Sequence, residues 1–339
     1  MSRASTIRPL AIVAAILVVA LAAPATAAPA TAASRTIIDL GTLGGDTSRA
    51  NAINNFSQVV GSSQTASGGL DAFLWEQGVM TDLGTLAGSA SYAASYATAI
   101  NDLGQVAGTS DRASGLPHAF LWEQGVMTDL GTLGGDFSEA LGINSQGQVV
   151  GRSETASGAQ HAFLWDDGVM TDLGTLGGSF SVATGINDLG QVVGSSELVP
   201  GYKRQHAFRW EQGVMTDLGT LGGRTSAAAA INDQGQVVGT SKTRKKRIRA
   251  FRWSNGVMTN LGTLGGDTSR ALGINHFGQV VGESVTASGL LHAFVWHKGV
   301  MTDLGTLGGI SVAYGINNNG EIVGMSTTPA GFSRAVLWR

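Results

Sequence analysis

The sequence predicts an all-β chain: seven four-stranded repeats forming a seven-bladed β-propeller, closed by an N-terminal strand that pairs with the C-terminal unit. Three observations carry this. One sentence, HAFLWEQGVMTDLGTLGGDFSEALGINSQGQVVG from His118 to Gly151, returns along almost the whole chain. Within each copy the apolar pattern has period two and is punctuated by turn residues. The ends of the repeated region are also complementary. TIIDLGTL opens it as a fourth strand lacking its third, and RAVLW closes it as a third strand lacking its fourth.

The repeats come first. The Asp or Asn before Leu-Gly falls at Asp39, Asp82, Asp129, Asp172, Asp217, Asn260 and Asp303, with gaps of 43, 47, 43, 45, 43 and 43 residues. SASYAA from Ser89 and ELVPGYKRQ from Glu197 account for the two longer gaps and are expected to be surface loops. In each unit SEALGIN, GQVVGRS, HAFLW and VMTDLGTL read as successive strands. The first two are joined by Asn-x-x-Gly turns, a pattern that Ser57 breaks in the first unit. The last two are joined by a two-residue hairpin loop such as Gln124-Gly125. That loop sets Trp122 opposite Met127, Phe120 opposite Asp129 and His118 opposite Gly131. Small residues on the first strand, Ala140 and Gly142 or Ala183 and Gly185, suit the convergence of seven sheets on an axis. An open solenoid would need atypical polar units at its ends, and none is evident.

Composition bounds the function. Of 339 residues, 43% are hydrophobic and 13% charged, with 50 glycines and no cysteine. The average soluble protein has roughly 25% charged residues. A net charge of −3 gives no reason to expect nucleic acid as a partner, and the absence of cysteine excludes disulfides, thiolate catalysis and Cys-based metal sites. Arg3 and Arg8, the apolar run Leu10–Ala23 and the small-residue stretch PATAAPATAA have the three-part plan of a secretory signal peptide. The apolar run is short of the ~20 residues that span a bilayer. Residues 1–33 are therefore expected to be a cleaved leader and 34–339 a propeller domain, secreted and cell-wall associated, monomeric, with no transmembrane segment.

The repeated polar residues read as mortar. His118 with Asp129 and His161 with Asp172 are expected to tie neighbouring strands, with Trp122 and Trp165 packed on methionine sulfur. A catalytic dyad would recur in several copies with no unique nucleophile, and a metal pair would have too few ligands. Asp71, Arg249 and Arg334 replace the histidine in three units, and Asp71 would then face Asp82. DLGTLGG lacks the Gly-Lys-Ser/Thr of a phosphate loop. The Ile-Asn turns lack the spaced carboxylates and closing Glu of a calcium loop. No cofactor or metal is expected.

HAFLW, DLGTLGG and GINxxGQVVG together resemble the HAF-type extracellular repeat family over about residues 36 to 339. Units with Asp71, Arg249 or Arg334 for His, and Val336 for Phe, depart from its pattern. The resemblance implies an exported repeat protein and carries no reaction, substrate or catalytic residue.

Function is then sought where the units differ. The outer-to-inner connections carry Tyr92, Tyr96, Phe137, Phe180, Arg224, Asp46, Asp136 and Asp267 as ligand-binding candidates, since exposed aromatics among hydrogen-bonding groups suit sugar rings or peptides. KTRKKRIR adds a cationic patch of Lys242, Arg244, Lys245, Lys246, Arg247 and Arg249. The leading expectation is a secreted binding or scaffold module for cell-envelope glycans or proteins. The alternative is an extracellular polysaccharide hydrolase or lyase with acids such as Asp46 and Asp136 at the central opening.

Overall fold

The computed structural model describes Met1 and residues 35–88, 93–201 and 204–339. The proposed leader and Tyr92 lie outside the described residues. Residues 34–339 make one unit, built of seven four-stranded antiparallel sheets with no helix among the described residues. Each sheet is one blade. Blade one runs from Gly44 to Asp82, blade two from Ser95 to Asp129 and blade three from Gly134 to Asp172. Blade four runs from Ser181 to Asp217, blade five from Gly222 to Asn260 and blade six from Gly265 to Asp303.

Blade seven is composite. Its first three strands are Ser311–Ile316, Ile322–Thr327 and Ser333–Trp338, and its fourth is Ile37–Asp39 from the other end of the repeated region. Ile37 pairs with Trp338, Ile38 with Leu337 and Asp39 with Val336. The ring is closed, and closed in the way the complementary ends predict.

The hairpin between third and fourth strands has the expected register: Trp122 pairs with Met127 and Phe120 with Asp129. Both loop residues have positive φ, 49° at Gln124 and 88° at Gly125, the geometry whose twist suits a two-residue hairpin. Two boundaries differ from expectation. The fourth strand stops at the aspartate, as in Val126–Asp129, so DLGTL is not strand throughout and His118, paired with Ser110 on the second strand, has no partner on the fourth. The cause is local. Asp129 Oδ1 accepts the Gly131 N–H at 2.8 Å, and Gly131 turns at φ 76°, an Asx turn that takes the chain out of the ladder. The first strand begins four residues before SEALGIN, spanning Gly134–Ile143 in blade three.

The core lies between blades. The cluster of Ala119, Leu130, Ala140, Val149 and Phe163 takes its members from blade two, blade three and the connection joining them, and the phenylalanine of the HAF word is wholly buried in blades one to six. Near the axis the inner strands almost touch: a Cβ on Gly142 would lie 3.2 Å from Gly185 Cα, and one on Gly185 would lie 3.3 Å from Ala230 Cα. A larger side chain there would push blades apart. A bulge beside these positions turns side chains toward the next blade, so that Asn51 donates to Ala97 O at 2.8 Å and Thr98 to Ala140 O at 2.8 Å.

Candidate functional site

The axial end of the ring is built by the seven Ile-Asn turns. They enclose a polar cavity of about 260 Å³. Asn54, Asn101, Asn144, Asn187, Asn232, Asn275 and Asn317 are all buried. Each Nδ2 donates to the backbone carbonyl of the asparagine in the next blade at 3.0 to 3.2 Å, and Asn317 returns to Asn54, so the hydrogen bonds form a closed ring. The second N–H of each goes to the Gln four residues on, or to Glu321 in blade seven. The side-chain oxygen accepts the backbone N–H of that same residue. Asparagine supplies two donors and an acceptor with two lone pairs on one short side chain, and aspartate could not donate.

Sequence reasoning reads these asparagines as the openings of Asn-x-x-Gly turns and misses the ring they form between blades, although a polar residue present in all seven units and flanked by apolar strands is a usable signal. The residues that follow them form the mouth of the cavity and are also engaged. Asp102 accepts the backbone N–H and a side-chain N–H of Asn55, Asp188 accepts the Ser145 N–H and Asp233 accepts the Asp188 N–H. These carboxylates fasten turns of adjacent blades.

At the other end of the inner strands lie the histidine and serine contacts. His118 Nδ1 is 2.8 Å from Asp129 Oδ1, His161 Nδ1 is 2.8 Å from Asp172 Oδ2, and His206 and His292 repeat the contact with Asp217 and Asp303 at 2.8 and 2.7 Å. Arg112 reaches both members of the first pair, 3.1 Å from His118 Nε2 and 3.3 Å from Asp129 Oδ2. In blade seven Arg334 stands 3.9 Å from Asp39. In blade five Arg249 accompanies Asn260 in place of the acid and donates instead to the Ile248 and Asp267 carbonyls. In blade one burial and the nearby Asp82 carboxylate hold the Asp71 carboxyl above its ordinary range.

One serine per inner strand completes the joints. Ser138 accepts the Ala119 N–H of the preceding blade and donates to Gly131 O at 2.6 Å, and the same two bonds recur at Ser48, Ser95, Ser181, Ser226, Ser269 and Ser311.

Of the ligand-binding candidates, Tyr96 and Phe137 share a cavity between blades two and three. Phe180 precedes the inner strand of blade four, and Arg224 lies on that of blade five. Asp46, Asp136 and Asp267 begin the inner strands of blades one, three and six, at the end opposite the Asn turns, and do not line the axial cavity. No two of them are on adjacent blades, so they form no carboxylate pair. Asp267 is paired with Arg247 at 3.2 Å. No group of three or more His, Cys, Asp or Glu able to hold a metal occurs among the described residues.

The cationic segment divides. Lys242, Arg244, Lys245 and Lys246 are exposed, whereas Arg249 is buried and lies outside the surface patch. Lys246 has φ 59°, in a turn that Thr243 closes by donating its N–H to Arg247 O at 2.9 Å. Arg244 and Lys242 lie against Gly222 and Gly223, next to Arg224, so sequence-distant charge joins the patch.

Fold and joints together define a closed seven-bladed β-propeller. No family model and no curated protein matches the sequence. Among solved structures, the chain is similar to the β-propeller domain of the Trilobed protease from Pyrococcus furiosus, at 12% identity, with 86% of this chain and 95% of that one covered and a TM-score of 0.53. It is also similar to a puromycin-hydrolyzing peptidase from Mycobacterium tuberculosis, at 11% identity, 89% and 50% coverage and a TM-score of 0.57. TolB from Acinetobacter baumannii matches at 12% identity, 87% and 65% coverage and a TM-score of 0.50. The chain thus spans half of that peptidase and about two thirds of TolB. At these identities the likeness is one of fold.

Proposed function

We propose that the protein is an exported HAF-type repeat propeller that binds or scaffolds cell-envelope glycans or proteins. The observation that carries this reading is a division of labour among polar residues. Those that recur, the asparagines and serines in all seven units and the His/Asp pairs in four, are consumed in joints between strands and blades. Those that vary, Tyr96, Phe137, Arg224 and the Lys242–Lys246 hairpin, lie at the opposite end of the inner strands from the Asn ring. A rigid ring with variable residues gathered at one end is suited to recognition, because loops and strand ends can change without disturbing the core. Export is supported by the charged, apolar and small-residue segments of residues 1–33. No helix among the described residues is long and apolar enough to cross a membrane.

The test sets a glycan and peptide array beside an activity screen on the same exported chain. Saturable retention of envelope material without turnover is expected. Turnover of a polysaccharide, abolished by Asp136→Asn, would replace this reading with a hydrolase or lyase.

A further inference from the structure

We infer that the cavity between blades two and three is a binding pocket for a small neutral saccharide. This rests on the envelope-binding reading and names the ligand class for one site. The cavity measures about 390 Å³, at the lower end of the ~300–1,000 Å³ that small-molecule sites occupy. Its walls combine Tyr96, 42% exposed, with Phe137, Thr109, Asp111, Glu139 and Arg152.

The polar groups are fixed and only partly used. Arg152 Nε and Nη2 each lie 2.8 Å from Glu139 Oε2, and its Nη1 donates to Gln160 at 3.2 Å, while the guanidinium stacks 5.2 Å from the Phe137 ring centroid. Glu139 keeps its second oxygen without a protein donor among the described residues. Asp111 Oδ2 accepts the Ala94 N–H at 3.0 Å, which leaves Oδ1 in the same condition. The Thr109 hydroxyl is buried and has no hydrogen-bond partner among the described residues. Buried hydroxyls are nearly always paired, and this one belongs to a residue that lines the cavity.

That inventory selects a ligand. An apolar molecule would strand two carboxylate oxygens and the remaining guanidinium N–H groups away from water and leave the buried hydroxyl unpaired, which is costly. An anion would meet two carboxylates against one arginine already paired with Glu139. A sugar ring offers hydroxyls that each donate and accept, together with a C–H face that packs on an aromatic ring. Sugar hydroxyls can donate to Glu139 and Asp111, accept from Arg152 and exchange a bond with Thr109, with Tyr96 covering the ring.

Saturation-transfer NMR of the exported chain with a panel of neutral hexoses and N-acetylhexosamines, as free mono- and disaccharides, finds the ligand, and calorimetry measures it. At least one sugar is expected to bind. Tyr96→Ala should weaken it about tenfold or more. Thr109→Val should weaken it several-fold without lowering the melting temperature, since the hydroxyl it removes has no partner among the described residues. Thr240→Val, the equivalent change in blade five, should leave binding unchanged. If Tyr96→Ala fails to fold, Thr109→Val decides alone. Binding that neither pocket variant alters would overturn the pocket and leave the wider reading intact. Retention of an envelope protein with no sugar of the panel bound would also overturn it. Failure of the chain to bind any envelope material is the separate result that defeats the wider reading.

Discussion

Ser57 donates a 2.5 Å hydrogen bond to Glu321 across the seam where blade one meets blade seven. Both residues depart from the repeat at the same joint. Other blades place glycine at the turn and glutamine after it, with the glutamine of one blade beneath the glycine of the next, as Gln105 lies near Gly147. At the seam serine replaces the glycine and takes φ 63°, and glutamate replaces the glutamine. Arg339 donates to the other Glu321 oxygen at 2.7 Å, so the last residue joins the same contact.

Two opposing terms set the outcome of Ser57→Gly. Glycine would relieve a left-handed conformation worth ~1–2 kcal/mol, and would lose a bond to a charged group worth ~1.5–3 kcal/mol. A net loss of about 1 kcal/mol is expected, and the double variant Ser57→Gly/Glu321→Gln, which restores the ordinary joint, should recover most of it. Chemical denaturation of the four proteins in the cycle measures the coupling. The pH dependence follows from the same contact. Burial alone would raise the Glu321 carboxyl, but hydrogen bonds from Ser57, Asn317 and Arg339 outweigh it and hold it below its ordinary range. The seam's contribution is therefore complete above the ordinary carboxylate range and lost as the pH falls through the lowered value. Glu321→Gln should flatten that acid limb.

His118 and Asp129 are expected to act on stability alone. His118→Ala breaks a 2.8 Å contact, and the histidine is more deeply buried than His161, with side-chain exposures of 7% and 21%. A loss of ~1–3 kcal/mol fits removal of one partner from a buried polar pair, with His161→Ala at the lower end. Melting curves and ligand titrations on the same samples test this. An activity lost with unchanged stability would reverse the assignment.

Much of this architecture is legible in the sequence because the repeat sets its own register. The Gln124-Gly125 loop fixes which residues of the third and fourth strands meet, and the incomplete ends imply closure. Two things are not legible. The outer strand is shorter than its alternation suggests, since a period-two pattern cannot show that Asp129 folds its side chain back onto Gly131 and ends the ladder. The recurring asparagine is visible in the sequence, but the partners in the Asn ring and the saccharide pocket belong to neighbouring blades, such as Asn144 with Asn187 or Tyr96 with Phe137, and which residues meet across blades has no signature within one unit. Arg249 shows a further limit: a run of cations looks uniformly exposed until strand alternation buries one of them.

Asp71 should be the easiest position at which to stabilise the ring. Its carboxyl is held above the ordinary range by burial and by Asp82, so the folded state binds that proton more tightly than the unfolded chain. The contribution of Asp71 is then fully present below the ordinary aspartate range and is lost as the pH rises through the raised value. Asp71→Asn should raise the melting temperature at neutral pH and have little effect well below the ordinary range. Asp71→His, which restores the residue of blades two, three, four and six, should gain more by adding a donor to Asp82. Calorimetry at two pH values separates the effects, and equal shifts at both would count against the charge argument.

Closure gives the widest contrast between two truncations. Ile37–Asp39 covers the edge of Ser333–Trp338, Leu40 donates to Ala335 O at 2.9 Å, and Ile37 and Ile38 pack on clusters that include the wholly buried Trp338 and Leu337. Deleting Thr36 to Leu43 would expose both an unpaired strand and the apolar face behind it, and such edges recruit other chains. The Asn317 to Asn54 bond and the Ser57 to Glu321 bond would remain, yet blade seven would have lost its outer wall. Loss of cooperative unfolding or aggregation is expected for this shortened chain, and no change for deletion of residues 1 to 33. In an open array only the terminal unit would fray, so melting curves and light scattering that are alike for the two truncations would show that the Ile37–Asp39 pairing does not hold the ring.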